Sequence, residues 1–468
     1  MKKLGLLIAI LLGITSHEVS LSKNKIQEFA SIDVVNKAIE SNVEFVYVYF
    51  TALSGNFHQL IIPFSQFENA LDHGLKYDGS SIPGCTNIFN SDMHLHLDRQ
   101  TFFVHPKIKN QPKTARIFAY IYQEENIPYH ADPRYLLQQS IELAARYNYT
   151  FYVGPEIEFF LVEKNNLGEI IPWDSGYYFG AETQQKHESI KFEIMQTLLD
   201  HGIYIEKLHH EVAPGQHEVS IHYDTALNIA DQIMLTKHLI KQVAFQHGVI
   251  ATFMPKPFFG MNGSGMHIHF SLADLEHGFN LFFDEDDDAH LSPLAYRFIA
   301  GILNRISDGA LIINSTINSF KRLVPGYEAP VYICWAKKNR SALLRVPQIN
   351  DDEPYAARAE LRSADALCNP YLAFTFLLQA GLAGIMNDEQ IAPAIEENLF
   401  KLTLDEIEQR NIAILPSSLV QALYNFENSS LMIDLFNHTL INELVKIKRA
   451  EALQFQRAVT TWELQRYL

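Results

Sequence analysis

Four short segments share one pattern: GPEIEFF (Gly154–Phe160), HEVSIH (His217–His222), GMHIHF (Gly265–Phe270) and ARAELRS (Ala357–Ser363). Each alternates apolar residues with carboxylate, imidazole or guanidinium side chains. Successive strand side chains point to opposite faces, so Glu156 and Glu158 share a side while Ile157 and Phe159 face the other way. Likewise Glu218, Ser220 and His222 oppose Val219 and Ile221, and His267 and His269 oppose Met266, Ile268 and Phe270. Arg358, Glu360 and Arg362 oppose Ala359 and Leu361. Isolated buried charges are too costly without partners, so the four segments predict strands of sheet lining one polar cleft.

Taken singly, each pair is weak. Glu-x-Glu on a strand is more often a solvent-facing pair, and His-x-His is as often a hydrogen-bonded pair as a ligand set. Together, many carboxylates with a few imidazoles and no thiolate point to hard divalent cations such as Mg²⁺ or Mn²⁺, which commonly partner phosphates. Arginines follow in apolar surroundings: Arg322 in SFKRLVPG, Arg340 and Arg345 in KKNRSALLRVP, then Arg358 and Arg362. A planar guanidinium suits phosphate and carboxylate alike. No GxxxxGK[ST] occurs, and GMNGSG lacks the G-x-G-x-x-G arrangement, so a bound nucleotide is expected to be held by metals and arginines.

At 468 residues and 47% hydrophobic, the chain can bury a large core and build more than one domain. With 37 basic against 54 acidic residues, it is not a general nucleic-acid binder. Cys85, Cys334 and Cys368 show no CxxC spacing, which argues against a disulfide framework and for a reducing compartment. The apolar run Leu4 to Ile14 after MKK has the form of a secretory h-region but is too short to span a bilayer, which takes roughly 20 residues. That pattern fits both an export signal and an appended apolar segment.

Further on, NVEFVYVYF and NFHQLIIPF flank TALSG and predict a hairpin that opens a small sheet domain. The domain is expected to close with the strand TARIFAYIY at Tyr122, before the linker-like QEENIPYHADP. Ile233, Ile240, Val243 and Ala244 predict an amphipathic helix after HEVSIHY. DEDDD (Asp284–Asp288) reads as a solvated loop.

The chain resembles a class I, bacterial-type glutamine synthetase. The likeness rests on YDGSSIPG, GPEIEFF, HHEVAPGQHEVS, PKPFFGMNGSGMHIHFSL, NSFKRLVPGYEAPV, NRSALLRVP, ELRSADALCNPYLAF and WELQRYL, in order over nearly everything after Val43. After a leader (1–23), it implies an α+β fold of a small β-grasp-like domain (24–122) and a large catalytic domain (123–468) with an antiparallel sheet lining the cleft. It also implies ATP-dependent ligation of ammonia to glutamate through a γ-glutamyl phosphate.

By position, the resemblance assigns Glu156, His267 and Glu360 to one metal and Glu158, Glu211 and Glu218 to a second. Glutamate would meet Asn262, Gly263, His269, Arg322 and Arg362; ATP would meet Arg340, Arg345 and Arg358, with Ser271 near the adenine. Asp78 and Ser81 of a neighbouring subunit would join Tyr178, Glu211 and Glu328 around the ammonium, in a dodecamer of two stacked hexameric rings. Asp78, Glu328, Arg340 and Arg362 would carry the catalytic steps.

The chain departs from the pattern at FTA (Phe50–Ala52), where F-T-D is common, and at Tyr355, where some members carry a basic residue. The leader has no counterpart, and Phe400 stands where some members carry an adenylylated tyrosine. A glutamate–amine ligase and a catalytically retired relative are the rival readings; the intact YDGSS and the complete ligand set argue against them. The need for ATP implies the cytoplasm and no membrane partner.

Overall fold

A computed structural model describes residues 33–86, 91–124, 126–181, 184–324, 329–350 and 353–468. The leader and Glu328 lie outside the described residues. The expected hairpin forms: β1 (Phe45–Thr51) pairs antiparallel with β2 (Phe57–Pro63). On its other side β1 runs parallel to β5 (Thr114–Glu124), and β4 (Asp92–Val104) and β3 (Leu75–Asp78) complete the row β2-β1-β5-β4-β3. β5 passes Tyr122 to end at Glu124, and β6 (Ile127–Pro128) folds back onto it, so part of the expected linker belongs to the sheet.

The second sheet is built around β7 (Tyr149–Lys164). Short strands β8 (Ile170–Pro172), β11 (Asp224–Thr225) and β12 (Ile250–Thr252) border it. Its continuous path runs β15 (Trp335–Ala336), β16 (Leu344–Arg345), β17 (Ala359–Leu361), β13 (Met266–Asp274), β7, β10 (Gln216–Ile221) and β9 (Ile205–His210). A separate ribbon joins β14 (Tyr332–Ile333) to β18 (Ala413–Ile414).

The face of β7 carrying Ile157 and Phe159 is fully buried. Helix Ala226–Gln246 packs on this strand and buries Ile233, Ile240, Val243 and Ala244, as the periodicity predicts. Helix Pro370–Met386 is apolar almost all round and lies in the core. A buried charge cluster ties the small sheet to these helices. Arg134 donates from Nε and Nη2 to Asp231 at 3.0 and 2.8 Å, and from Nη2 to Asp98 of β4 at 2.9 Å. Tyr371 donates to Asp231 at 2.7 Å. The three cysteines are free, as expected, and all are buried; Asp284–Asp288 is a loop. Among the described residues no helix is long and apolar enough to cross a membrane.

Candidate active site

Strand register sets the site. His267 lies opposite Glu156, which lies opposite Ser220, which lies opposite Lys207. One step along, Glu158 pairs with Glu218 and Glu218 with His209. Directly opposed residues on one face bring their Cβ atoms to about 5 Å, so these rows crowd carboxylates and imidazoles into one patch. Beyond β13, Glu360 lies opposite both His269 and Arg345.

The patch resolves into adjoining clusters. Ligand atoms of Glu156, His267 and Glu360 lie within 4.8 Å of one another, as do those of Glu158, Glu218 and His267 and of His209, Glu211 and Glu218. The first trio is the expected one. Of the second expected trio, Glu158 and Glu211 meet through Glu218, and His267 faces both groups: Nδ1 is 3.1 Å from Glu156 and Nε2 is 3.7 Å from Glu158.

These carboxylates do not titrate alike. Burial pushes Glu218 up to about 9, reinforced by the charges of Glu156, Glu158 and Glu211. Burial opposes ionisation of Glu156 too, but hydrogen bonds from His267 and His269 hold it below the usual carboxylate range. Glu360 is fully buried, yet Arg362, the two histidines and Arg345 bring it down to about 2. Arg345 Nη1 donates to it at 2.8 Å and Arg362 Nη1 also bonds to it. A concentration of carboxylate and imidazole that neighbouring arginines neutralise only in part fits hard divalent cations.

Five glutamates (156, 158, 211, 218 and 360) line a cavity of about 270 Å³. Tyr178, Asn262, Gly263 and Arg322 also border it, with Arg340, Arg345 and Arg362. The Arg322 guanidinium is buried and donates to the carbonyls of Ser363, Ala364 and Arg362 at 2.7, 3.0 and 3.1 Å. A second cavity, of about 220 Å³, shares Glu156 and is lined by Tyr223, His269, Ser271, Tyr355 and Arg358. Arg358 Nε donates to His269 Nδ1 at 3.3 Å.

Most expected residues therefore converge, with some in other places. His269, expected at glutamate, lines the second cavity with Ser271. Arg340 and Arg345 line the first cavity, and only Arg358 of the three ATP arginines lines the second. Asp78 and Ser81 border neither; they sit in an exposed turn after β3, where Asp78 caps Ser80 N at 2.9 Å. His222 is a correction. β10 ends at Ile221 after an irregularity at Ser220, so His222 leaves the cleft row, becomes exposed and pairs with Glu206 at 3.0 Å.

Other residues at the site escaped the sequence analysis. Lys207 and His209 line the first cavity; their same-face alternation with Glu211 was the available signal. Gln216 Nε2 donates to Glu158 at 3.2 Å and to the Gly263 carbonyl at 3.0 Å. Behind the hairpin, Asp174 bonds His210 Nε2 at 2.7 Å and His217 Nε2 at 3.2 Å, and accepts from the amides of Gly176 and Gly215, both at 2.9 Å. His210 precedes Glu211 and His217 precedes Glu218, so one buried carboxylate fixes the backbone beside two candidate ligands. A Cβ on Gly176 would lie 2.3 Å from His210, so only glycine permits this approach.

Both parts of the chain have counterparts among known proteins. The family model described as "Glutamine synthetase, catalytic domain" matches residues 130–467, and "Glutamine synthetase, beta-Grasp domain" matches 42–124. A glutamine synthetase of Thermotoga maritima is 42% identical over 94% of this chain and 99% of its own length. One of Methanosarcina mazei is 38% identical over 93% and 97%. Among solved structures, an ADP complex of GmaS superposes with a TM-score of 0.83 at 27% identity, covering 93% of this chain and 99% of that one. A Plasmodium falciparum glutamine synthetase superposes at 0.82 with 24% identity over 95% and 98%.

Proposed function

Because the chain belongs to the glutamine synthetase family, we propose that its paired cavities divide the reaction, with nucleotide in the second and glutamate and ammonia in the first. The protein is an enzyme that makes glutamine from glutamate and ammonia with ATP; divalent cations are a general requirement of the family. What supports the division is the shared wall at Glu156, which puts the junction of the cavities beside carboxylate clusters and arginines.

Glu156, His267 and Glu360 would hold one Mg²⁺ or Mn²⁺ ion, and Glu158, Glu211 and Glu218 a second. Bound there, such cations neutralise the charge on the transferring phosphoryl group. Arg340 and Arg345 reach toward that group, while Glu360 fixes Arg345 and Arg362 in direction. Asn262, Gly263, Arg322 and Arg362 orient glutamate so that its γ-carboxylate oxygen attacks the γ-phosphorus and releases ADP. Tyr178 and Glu211, with Asp78 and Ser81 of a neighbouring subunit, collect ammonium. A carboxylate of that set takes one proton to free ammonia, which attacks the acyl carbon; Glu328 takes a second proton from the adduct, and phosphate leaves to give the amide. Ser271, His269 and Arg358 line the nucleotide side.

We also propose a cytoplasmic enzyme, where ATP is available, assembled as two stacked hexameric rings. Glutamine and phosphate should form together from ATP, glutamate and ammonium with Mg²⁺ or Mn²⁺. Turnover with putrescine and none with ammonium would make it an amine ligase instead.

A further inference from the structure

Lys207 is the only lysine among the described residues lining either cavity. Its Nζ lies 3.7 Å from Glu156 Oε1 and 3.7 Å from Glu218 Oε1. Those carboxylates belong to different proposed cation sites, and Glu156 also borders the second cavity. The ammonium therefore sits between the two cation sites and at the threshold of the nucleotide cavity. At 3.7 Å both contacts are longer than a hydrogen bond, so the attraction is Coulombic without fixed geometry. The side chain is 47% exposed and carries a flexible four-carbon stem, so little holds it once another cation arrives.

We infer that Lys207 is a displaceable counter-ion that couples cation binding to nucleotide binding. In the empty cleft its ammonium offsets the charge of Glu156, lies against Glu218, and competes with divalent cations for both. When ATP enters, the same ammonium swings onto a phosphate oxygen and frees both carboxylates. Cation and nucleotide then strengthen each other's binding, and linkage makes that coupling reciprocal. The inference rests on the phosphoryl-transfer reading above. Its plain rival is a surface ion pair of little consequence.

The test titrates Mn²⁺, by the loss of its free electron-paramagnetic signal, with and without a non-hydrolysable ATP analogue. Wild type is compared with Lys207→Met, Lys207→Gln, Lys207→Arg and Glu156→Ala. Without nucleotide, the two uncharged variants should bind Mn²⁺ about tenfold more tightly than wild type, because a competing cation has gone. The gain in Mn²⁺ affinity on adding the analogue should shrink by a similar factor, the KM for ATP should rise, and Lys207→Arg should keep the coupling. Unchanged Mn²⁺ affinity and coupling in both uncharged variants, with Mn²⁺ binding weakened in Glu156→Ala, would overturn the counter-ion role and leave the cation sites standing. Absence of Mn²⁺ binding in wild type, with and without the analogue, would overturn both.

Discussion

Glu156 and Glu360 were alike in the sequence, each a strand carboxylate on a polar face, but their surroundings predict different mutants. Glu156 is partly exposed and faces histidines and Lys207 rather than buried arginines, so Glu156→Ala should keep the fold while lowering kcat by about a hundredfold or more. Turnover assays alongside thermal melts check this; wild-type turnover would mean the cation site has been misplaced. Glu360 neutralises Arg345 and Arg362 with no exposure of its own. Glu360→Ala should therefore lose activity and also about 3–5 kcal/mol of stability, visible in denaturant unfolding. Glu218 carries a pH signature. Its raised pKa means that the folded, cation-free protein keeps a proton the unfolded chain has shed, so this group's contribution to stability falls as pH climbs from about 5 towards 9. Mn²⁺ must displace that proton, so calorimetry in buffers of differing ionisation enthalpy should show proton release on binding, and affinity should rise with pH. Glu156, Glu158, His267 and Glu360 were legible because period-two alternation runs unbroken through the pairs that place them. His222 was misplaced because an irregularity at Ser220 and the end of β10 break the period, which no local pattern announces.

At the scale of elements, the β9–β10 hairpin delivers Glu211 and Glu218, and Asp174 pins it from behind. Asp174→Asn would replace one acceptor oxygen by a donor group and loosen the hairpin without touching a ligand. We expect Mn²⁺ affinity at the Glu211 and Glu218 site to fall about 10- to 100-fold while the Glu156 site holds. A Mn²⁺ titration showing one weakened class of sites beside one intact class separates this from general unfolding. The hairpin β1–β2 and helix Ala226–Gln246 were readable because each carries its own period and turn chemistry over many residues. β17 was read within ARAELRS, but β15 and β16, of two residues each, were not readable as elements. Long-range pairing creates them, β16 on β17 and β15 on β16, while β17 itself pairs with β13; Arg345 lies on β16, and Arg340, Arg358 and Arg362 lie on the flanks of these strands. Their chemistry pointed to phosphate or carboxylate; only the resemblance to a known family divided those arginines between ATP and glutamate.

For the whole molecule, the informative feature is that Asp78 and Ser81 border neither cavity of their own chain. They sit in an exposed turn whose sheet is fixed to the catalytic domain through Arg134, Asp98 and Asp231. The sheet cannot carry this turn into the chain's own cleft without breaking a buried ion cluster, a loss of about 3–5 kcal/mol. If these residues act on ammonium, they act on a neighbour's. Asp78→Ala and Glu156→Ala should then each be inactive when pure, by opposite routes, since one spoils the donated turn and the other the receiving cleft. Mixed rings made by co-expression would unite an intact turn with an intact cleft at about a quarter of the sites if subunits mix at random in equal amounts. Recovery of activity near that fraction, in assemblies that light scattering shows to be as large as wild type, is the expected result. Mixed rings as inactive as the pure variants would return Asp78 to a purely local role, capping the turn at Ser80.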